Sequence, residues 1–395
     1  MSAVSGSNTD VNIRIAEPGV FNQPDYYELL ATLRAEAPVF NSEPGIWLIT
    51  KYDDIRAISR DTEHFSSAHG VLVNDPSRRP GASSPKGSIL HMDPPEHAEY
   101  RRIVSRDFTP RATGPMEAQI ASIADRVFDA LPRGEEIDFV AHVASPVPVT
   151  VIAELLGVAD ADLGEFRKWS DAMIEISDNP TPEIVGLAVE FAQFLDEHIA
   201  ERSASPRDDM ISVLTQSTLT RQEIQMFCIT LLVAGNETTR HLLSGGAEAL
   251  AKQPDQRAAL IDHPDAMPGA VEELLRWVTP IQAMGRTATT EVVVGDATLS
   301  EGDFAVLMYA SGNRDEDAFG PTASQLDVLR PTSPANVTFG FGEHNCLGAP
   351  LARLEGRIVF EQLLRRFPDY ELVDDPVMAS STLVRGANEM KVVLK

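Results

Sequence analysis

Cysteine, basic side chains and long apolar runs are all scarce in this sequence. The 395 residues include 2 cysteines, Cys228 and Cys346, too few for a disulfide-stabilised secreted scaffold, which favours a reducing compartment. No stretch approaches the roughly 18 continuous apolar residues of a membrane-spanning helix, and the N-terminus lacks the basic and apolar segments of a signal peptide. We therefore expect a cytoplasmic protein that does not bind membranes.

The charge balance is strongly acidic, with 33 Lys and Arg residues against 59 Asp and Glu residues and a formal net charge of −26. A nucleic-acid surface needs clustered Lys and Arg over a sizeable area, so we expect no nucleic acid as a partner. The content of hydrophobic residues, 43%, is ordinary for a globular chain.

No internal repeat or long linker divides the sequence, so we expect one monomeric domain over residues 14–395, preceded by a disordered tail at residues 1–13. Apolar residues at helical spacing dominate, and strand-like segments are short. The predicted fold class is therefore mainly α with a minor β-sheet. The clearest helices are predicted over 115–131, 147–156, 163–176 and 182–202, and the strands over 46–50, 291–294, 305–309 and 391–394.

Two stretches lack a regular pattern. Residues 66–88 are rich in Gly, Pro and Ser and have few side chains typical of a core, which predicts a mobile surface lid. Residues 317–345 are interrupted repeatedly by Pro and Gly. A loop of that length inside a compact domain usually has a functional task.

The longest predicted helix begins after Thr220. Thr220 and Glu223 have the spacing of a capping box, and apolar residues then recur at helical spacing as far as Lys252. At about 1.5 Å per residue this helix would be roughly 45 Å long. Cys228 lies on its apolar stripe and is predicted to be a small buried hydrophobic residue.

The middle of this helix reads AGNETT, a segment poor in helix-forming residues. At about 100° per residue, Gly235 and Thr238 lie near the line of Leu231, whereas Glu237 points away from it. Two interpretations of Gly235 stay open: it lets a planar ligand approach the backbone, or it permits close helix packing. The Thr238 hydroxyl can bond a carbonyl oxygen one turn back or bind water.

Cys346 lies in a glycine-rich turn, FGFGEHNCLG, followed by Pro350 and an amphipathic helix predicted to end near Arg366. The thiol would then precede a helix N-terminus, where free amides and the helix dipole stabilise a thiolate. From the residues alone, Cys346 is either a nucleophile with His344 as a neighbouring base or an iron ligand.

The string FGFGEHNCLG resembles the haem-binding loop of the cytochromes P-450, and three further segments resemble that family in the same chain order. AGNETT is similar to the oxygen-activation segment of the family's central helix, Glu273 and Arg276 match its E-x-x-R pair, and His97 and Arg101 match its H-x-x-x-R. The resemblance implies the family's triangular, helix-rich fold, with haem b between the long central helix and the cysteine loop.

The resemblance also implies roles for individual residues. Cys346 would be the thiolate ligand of the haem iron, with Phe339 packed beside it. Buried carboxylates need cationic or hydrogen-bonding partners, and the residues implied at the haem propionates have that chemistry. They are His97, Arg101, Arg286 and His344.

Glu237 and Thr238 resemble the acid and alcohol of the family's proton-delivery pair, with Glu where many members carry Asp. Glu273 and Arg276 would lock the region of the cysteine loop together with a later arginine, for which Arg330 is the candidate. Without the resemblance, a surface ion pair worth a few tenths of a kcal/mol would be the simpler interpretation of Glu273 and Arg276.

Electrons are expected from a separate ferredoxin and its reductase, since the cysteines and the length leave no room for a flavin or iron–sulfur module. Two segments carry clustered arginines within this acidic chain, and we expect them to form a basic docking surface for an acidic ferredoxin. The alternative is ordinary solvated helix surface. These arginines are Arg101, Arg102, Arg106 and Arg111 in the first segment and Arg353, Arg357, Arg365 and Arg366 in the second.

The expected substrate is a hydrophobic small molecule such as a terpenoid, steroid or fatty-acyl compound, into which one atom of O2 is inserted at an unactivated C–H bond. The alternatives are a haem-thiolate gas or redox sensor, a haem-free thiol enzyme, and a tailoring oxidase of natural products that performs epoxidation or C–C coupling. Segments 66–89 and 172–182 are expected near the pocket, and its predicted lining residues are Leu231, Ala234, Gly235, Ile281, Met284 and Leu383.

Overall fold

The computed structural model describes residues 13–79, 81–175 and 180–395. Its α-helices are α1 (Tyr26–Glu36), α2 (Tyr52–Arg60), α3 (Glu96–Val104), α4 (Pro110–Thr113), α5 (Glu117–Asp129), α6 (Pro146–Leu156), α7 (Leu163–Glu175), α8 (Pro182–Ala204), α9 (Met210–Thr215), α10 (Arg221–Lys252), α11 (Pro254–Asp262), α12 (Met267–Val278), α13 (Tyr309–Gly312), α14 (Glu316–Phe319) and α15 (Ala349–Arg366). Its strands are β1 (Val39–Glu43), β2 (Ile46–Ile49), β3 (Phe65–Ser66), β4 (Glu136–Asp138), β5 (Met284–Ala288), β6 (Val292–Val294), β7 (Ala297–Leu299), β8 (Phe304–Leu307), β9 (Tyr370–Leu372), β10 (Val377–Met378), β11 (Ala387–Glu389) and β12 (Lys391–Leu394).

The mainly α fold class with a minor sheet is confirmed, and the elements predicted from spacing lie within a few residues of α5 to α8 and of β2, β6, β8 and β12. Residues 1–12 of the predicted tail, and residues 176–179 of the predicted 172–182 segment, lie outside the described residues. Ile13, the last residue of the predicted tail, is buried. The prediction of a single domain stays a prediction.

The segment 66–88, predicted to be a surface lid, is partly buried. The expectation that it lies wholly on the surface is therefore wrong. Its described residues contain no α-helix, as expected, but Val71 is only 2% exposed. The Gly285 N–H donates to the Val71 carbonyl oxygen at 2.7 Å, which attaches this segment to the start of β5. The buried Val71 side chain and this backbone hydrogen bond therefore anchor the segment, although its composition indicates only a loop.

The described chain forms two compact units. The first comprises the described residues up to Ser84, Glu272–Cys346 and Met378–Gly386. It is built on a five-stranded mixed sheet in the order β1-β2-β8-β5-β3, in which β2 and β8 are parallel. All four residues of β8 are buried, because this strand is central in the sheet and covered on both faces.

The second unit comprises Pro85–Val271, Leu347–Val377 and Ala387–Lys395. Its central helix α10 packs against α6, α7, α8 and α15, and a small sheet in the order β4-β12-β9 completes the unit. The predicted capping box is confirmed, since the Thr220 N–H donates to Glu223 Oε2 at 2.7 Å. At Gly246 a Cβ would overlap the Phe360 ring of α15, so glycine permits this close approach of the two helices. Among the described residues, no helix is both long and apolar enough to cross a bilayer.

Candidate active site

The cysteine loop, from Phe339 to Cys346, is a tight turn in the first unit. The Cys346 N–H donates to the Phe339 carbonyl oxygen at 2.8 Å and closes the turn. Gly340 and Gly342 have φ values of 67° and 73°, in the left-handed region that favours glycine. A Cβ at Gly342 would also overlap the carbonyl oxygen of Ser59 at the end of α2. The glycines noted in the sequence therefore shape the turn that carries the thiol.

The two cysteines differ sharply in environment. Cys228 is fully buried on α10, as predicted, and burial raises the pKa of its thiol to about 12. It therefore stays protonated at neutral pH and cannot supply a thiolate. Cys346 is exposed at the end of the glycine turn, directly before α15. Only Cys346 has an environment that suits a thiolate ligand.

Asn313 supports the residues directly before the cysteine loop from a fully buried position. Its side-chain oxygen accepts from the Val337 N–H at 2.7 Å, and its side-chain nitrogen donates to Thr338 Oγ1 at 2.8 Å and to Thr279 Oγ1 at 2.9 Å. Sequence reasoning gave Asn313 no role, since its three partners lie between 24 and 34 residues away along the chain.

Glu273, Arg276 and Arg330 are brought together, as the resemblance implied. Arg276 Nε donates to Glu273 Oε2 at 2.6 Å, and Arg330 Nε donates to Glu273 Oε1 at 3.2 Å. Arg276 Nη1 also donates to the Asn313 carbonyl oxygen at 2.6 Å, which links this cluster to the residue that supports the cysteine loop. The Glu273 and Arg276 side chains are each 2% exposed, so the alternative of a surface ion pair is wrong.

Two further residues of the first unit that the resemblance implied at the propionates have defined polar contacts. His344 Nε2 lies 3.2 Å from Ser67 Oγ, so this ring nitrogen bonds a hydroxyl outside the loop. Arg286, on β5, is buried and donates through Nη1 to the Gly285 carbonyl oxygen at 2.7 Å.

Three of the predicted lining residues lie in the same unit and are half-buried and apolar: Ile281, Met284 and Leu383. Ile281 forms an antiparallel bridge with Val384, and the Gln282 N–H donates to the Leu383 carbonyl oxygen at 2.9 Å. Two segments about 100 residues apart in sequence, each with half-buried apolar side chains, therefore meet through backbone hydrogen bonds.

His97 and Arg101 lie on α3 in the second unit. Their spacing of four residues puts both on one face of the helix, as expected. His97 is buried, whereas Arg101 is half-buried. A histidine beside an arginine on one partly buried helical face offers donors suited to a carboxylate.

The predicted acid and alcohol lie in the middle of α10. Thr238 Oγ1 donates to the Ala234 carbonyl oxygen, one turn back, at 2.7 Å. Of the two bonds expected for this hydroxyl, the structure shows the one to the backbone. Glu237 Oε1 lies 3.9 Å from Arg240 Nη2 and 3.9 Å from His241 Nε2. Sequence reasoning missed His241, although its position four residues after Glu237 is a signal available in the sequence.

Gly235 corrects one expectation about the pocket. A Cβ at this position would lie 2.6 Å from Ile152 Cδ1 on α6. The space beside Gly235 is therefore occupied by a neighbouring helix, which favours close helix packing over approach by a planar ligand. Leu231 is half-buried and Ala234 is exposed, so these two residues of the predicted lining on α10 retain free surface.

Part of the expected basic docking surface is neutralised by neighbouring carboxylates. Two arginines of α15 are neutralised by acidic residues of α5: Arg366 bonds Asp125 and Asp129, and Arg357 Nη2 lies 2.8 Å from Glu117 Oε1. The reason is that α5 packs along α15 and presents its carboxylates to it. By contrast, Arg102, Arg106 and Arg111 are exposed and have no ion-pair partner within the part of the chain that the structure describes.

The donor set fits haem. Within the first unit, the Cys346 thiol on its glycine turn can ligate iron, and the buried Arg286 and the half-buried His344 have the chemistry of partners for carboxylates. Haem-thiolate proteins are the class that this combination of cysteine loop and helical fold defines.

Comparisons with known proteins identify the family. A model of the family described as Cytochrome P450 matches residues 266–375. The chain is 36% identical over 374 residues to the steroid C26-monooxygenase of Mycolicibacterium smegmatis, covering 91% of this chain and 90% of that protein. The chain therefore belongs to the cytochrome P450 family, and it is a monooxygenase whose cofactor is haem b held through a cysteine thiolate.

Solved structures agree with this assignment. The fold is similar to that of a mutant of P450 EryK in complex with erythromycin B, with a TM-score of 0.85, 33% identity and coverage of 95% of this chain and 98% of that chain. It is also similar to CYP109E1 from Bacillus megaterium in complex with testosterone, with a TM-score of 0.82, 31% identity and coverage of 93% and 99%.

Proposed function

We propose that this cytochrome P450 hydroxylates an unactivated C–H bond of a hydrophobic molecule of steroid size. The observation that carries the substrate class is the 36% identity, along 91% of the chain, to a steroid C26-monooxygenase. The relative solved with testosterone supports the same class. In the first unit, the half-buried apolar side chains of Ile281, Met284 and Leu383 suit an apolar substrate, and on α10 of the second unit Leu231 is likewise half-buried and apolar.

Cys346 is proposed as the ligand of the haem iron, because Cys228 is buried as a thiol. When bound, haem supplies the iron at which O2 is activated, and thiolate ligation favours O–O cleavage. Phe339 would pack beside the thiolate and restrict the access of water. On the first unit Arg286 and His344, and on the second unit His97 and Arg101, would bind the propionates through charge-assisted hydrogen bonds.

Glu237 and Thr238 are proposed as the proton-delivery pair. The Thr238 hydroxyl donates its hydrogen to the Ala234 carbonyl oxygen, so its own oxygen is free to accept a hydrogen bond from water. The Glu237 side chain is 16% exposed and can recover a proton from solvent. This arrangement suits an acid that exchanges with solvent and an alcohol that orients the water carrying the proton.

The electron donor is proposed to be a ferredoxin that docks on Arg102, Arg106 and Arg111. These three side chains are exposed in an acidic protein and lie on α3, on the turn that follows it and on α4. Their unneutralised charge would steer an acidic partner. The cytoplasmic location remains a prediction.

A spectral titration tests the substrate class. Adding testosterone to the ferric holoenzyme should shift the Soret band from the low-spin to the high-spin position, because an apolar substrate displaces water from the iron. Sodium palmitate and a monoterpene serve as comparison ligands. If testosterone gave no shift and palmitate or the monoterpene did, steroid size would be the wrong class.

A tailoring oxidase of polyketide natural products is the second candidate, favoured by the similarity to EryK solved with erythromycin B. Erythromycin in the same titration distinguishes it. A gas or redox sensor would form no hydroxylated product and would need neither Glu237 nor Thr238, so product formation from any of these ligands excludes it.

A further inference from the structure

One carboxylate oxygen in the middle of α10 has two cationic or polar neighbours at the same distance. Glu237 Oε1 lies 3.9 Å from His241 Nε2 and 3.9 Å from Arg240 Nη2. Both distances are longer than a hydrogen bond, and a water molecule bonded to both groups can bridge such a separation. The three side chains therefore form a polar cluster whose members do not bond each other directly.

Three nitrogens of this cluster lack a hydrogen-bond partner among the described residues. His241 is 0% exposed, and within the described residues neither Nδ1 nor Nε2 has a hydrogen-bond partner; the same holds for Arg240 Nε. An unsatisfied buried polar group is costly, and buried water is the usual partner of such groups. Three unsatisfied nitrogens on two side chains that neighbour one carboxylate favour ordered water as part of the structure here.

The environment of the ring also defines its hydrogen-bonding capacity. Burial lowers the pKa of His241, with the Arg240 charge acting in the same direction and Glu237 opposing it. The ring is therefore neutral at pH 7, with one nitrogen that donates a hydrogen bond and one that accepts. A neutral ring can order water without placing a second positive charge beside Arg240.

The helix places this ring next to both members of the proton-delivery pair. His241 follows Glu237 by four residues and Thr238 by three, which are the two spacings at which side chains on a helix are neighbours. At about 100° per residue, His241 lies between the rows of Glu237 and Thr238. A water molecule held by this ring would therefore lie near both side chains.

We propose that His241 is a positioning residue of the proton relay, whose ring nitrogens hold ordered water that joins the Glu237 carboxylate to the Thr238 hydroxyl. The proposal rests on the roles given to Glu237 and Thr238 above. In the relay, the Glu237 carboxyl group gives its proton to this water, and one of the water's own protons passes along the water at Thr238 Oγ1 to the O2 that is reduced by the donor's electrons. Glu237 then recovers a proton from solvent, so the side chains return to their starting state.

The test compares matched variants of the holoenzyme. His241→Leu removes both ring nitrogens at similar volume, and His241→Asn retains one donor and one acceptor. Ser244→Ala is the control, since Ser244 is equally buried on α10 and donates to the Arg240 carbonyl oxygen at 2.9 Å. The ratio of hydrogen peroxide to NADH consumed is measured with testosterone, a ferredoxin and its reductase.

We expect His241→Leu to raise this ratio about as much as Glu237→Gln does, severalfold, and His241→Asn to restore most of the coupling. The double variant Glu237→Gln/His241→Leu should leak no more than either single variant, because both interrupt one relay. A wild-type ratio in His241→Leu, with a raised ratio in Glu237→Gln, would overturn the role of His241 alone. Wild-type ratios in Glu237→Gln and Thr238→Ala as well would overturn the relay of the proposed function and this inference with it.

A readout without turnover separates positioning from stability. In the diamagnetic ferrous carbon monoxide complex, ¹⁵N-labelled histidine should give a His241 signal of a neutral ring, identified by its loss in His241→Leu. Glu237→Gln should shift this signal, because the shared water reorients. An unchanged signal in Glu237→Gln would show that the two side chains share no water and would overturn the proposal.

Discussion

Arg276 and Glu273 form an ion pair of 2.6 Å in which both side chains are 2% exposed. Arg276 donates further to the carbonyl oxygens of Asn313 and Ala323, and Glu273 accepts from Arg330. An ion pair whose donors and acceptors all have hydrogen-bond partners holds the neighbouring segments in place. Loss of one partner leaves the other as an uncompensated buried charge. The cluster thus ties α12 to the loop that precedes Cys346.

The first prediction concerns this pair. Glu273→Gln should lower the free energy of unfolding by about 3 kcal/mol, because it leaves the Arg276 guanidinium buried without its counter-charge. Glu165→Gln is the matched control, since Glu165 pairs with Lys168 at the same sequence spacing but both side chains are more than half exposed. The control should change the free energy of unfolding far less, because solvent screens an exposed ion pair. Urea unfolding measures both, and equal costs would contradict the prediction.

The second prediction separates the two cysteines. Cys346→Ser should abolish the strongly red-shifted Soret band of the reduced carbon monoxide complex, because no other accessible thiol can replace the ligand. Cys228→Ala should retain that band and lose only some stability, since it removes a buried sulfur from a packed helix. Loss of the band in Cys228→Ala with normal folding, or its retention in Cys346→Ser, would refute the assignment.

The third prediction concerns docking of the electron donor. Arg102→Gln combined with Arg106→Gln should slow reduction by a ferredoxin about tenfold at low ionic strength and flatten its salt dependence. Arg365→Gln combined with Arg366→Gln removes the same charge from α15, where Arg366 is already paired with Asp125. This control should change the rate little. Stopped-flow reduction under carbon monoxide measures both, and equal effects would place the docking surface elsewhere.

The fourth prediction concerns Glu355, which is buried on α15. Burial raises the pKa of its carboxyl group to about 8, and Oε2 has no hydrogen-bond partner among the described residues. The folded state therefore holds this proton more tightly than the unfolded state. Its contribution to stability is complete below the unfolded pKa, near 4.5, and is lost as the pH rises to about 8.

Glu355→Gln should remove this dependence, since the amide cannot ionise. The slope of stability against pH between these two values, at most about 1.4 kcal/mol per pH unit from one group, should be smaller in the variant. The variant should be more stable than the parent at pH 8 and similar at pH 5, by urea unfolding. Parallel stability curves for the two proteins would contradict the prediction.

Much of the fold followed from local patterns. The capping box at Thr220, the amphipathic helices and the glycine turn before Cys346 depend on residues within a few positions of each other, so the sequence displays them directly. Short strands were harder to recognise. β5 has only five residues. Its pairing with β8 and β3 depends on segments distant in sequence, so the residue pattern of β5 does not predict it.

The sequence alone identified the cysteine loop, the capped central helix and the E-x-x-R pair. Each of these is a pattern of residues that lie close together along the chain, as are the proposed acid and alcohol, Glu237 and Thr238. Only the tertiary structure decided that Gly235 faces Ile152, that Asn313 supports the loop, and that Arg366 is neutralised by Asp125. The physical reason is that packing and ion pairing depend on which surfaces meet, and Asp125 and Arg366 are 241 residues apart along the chain.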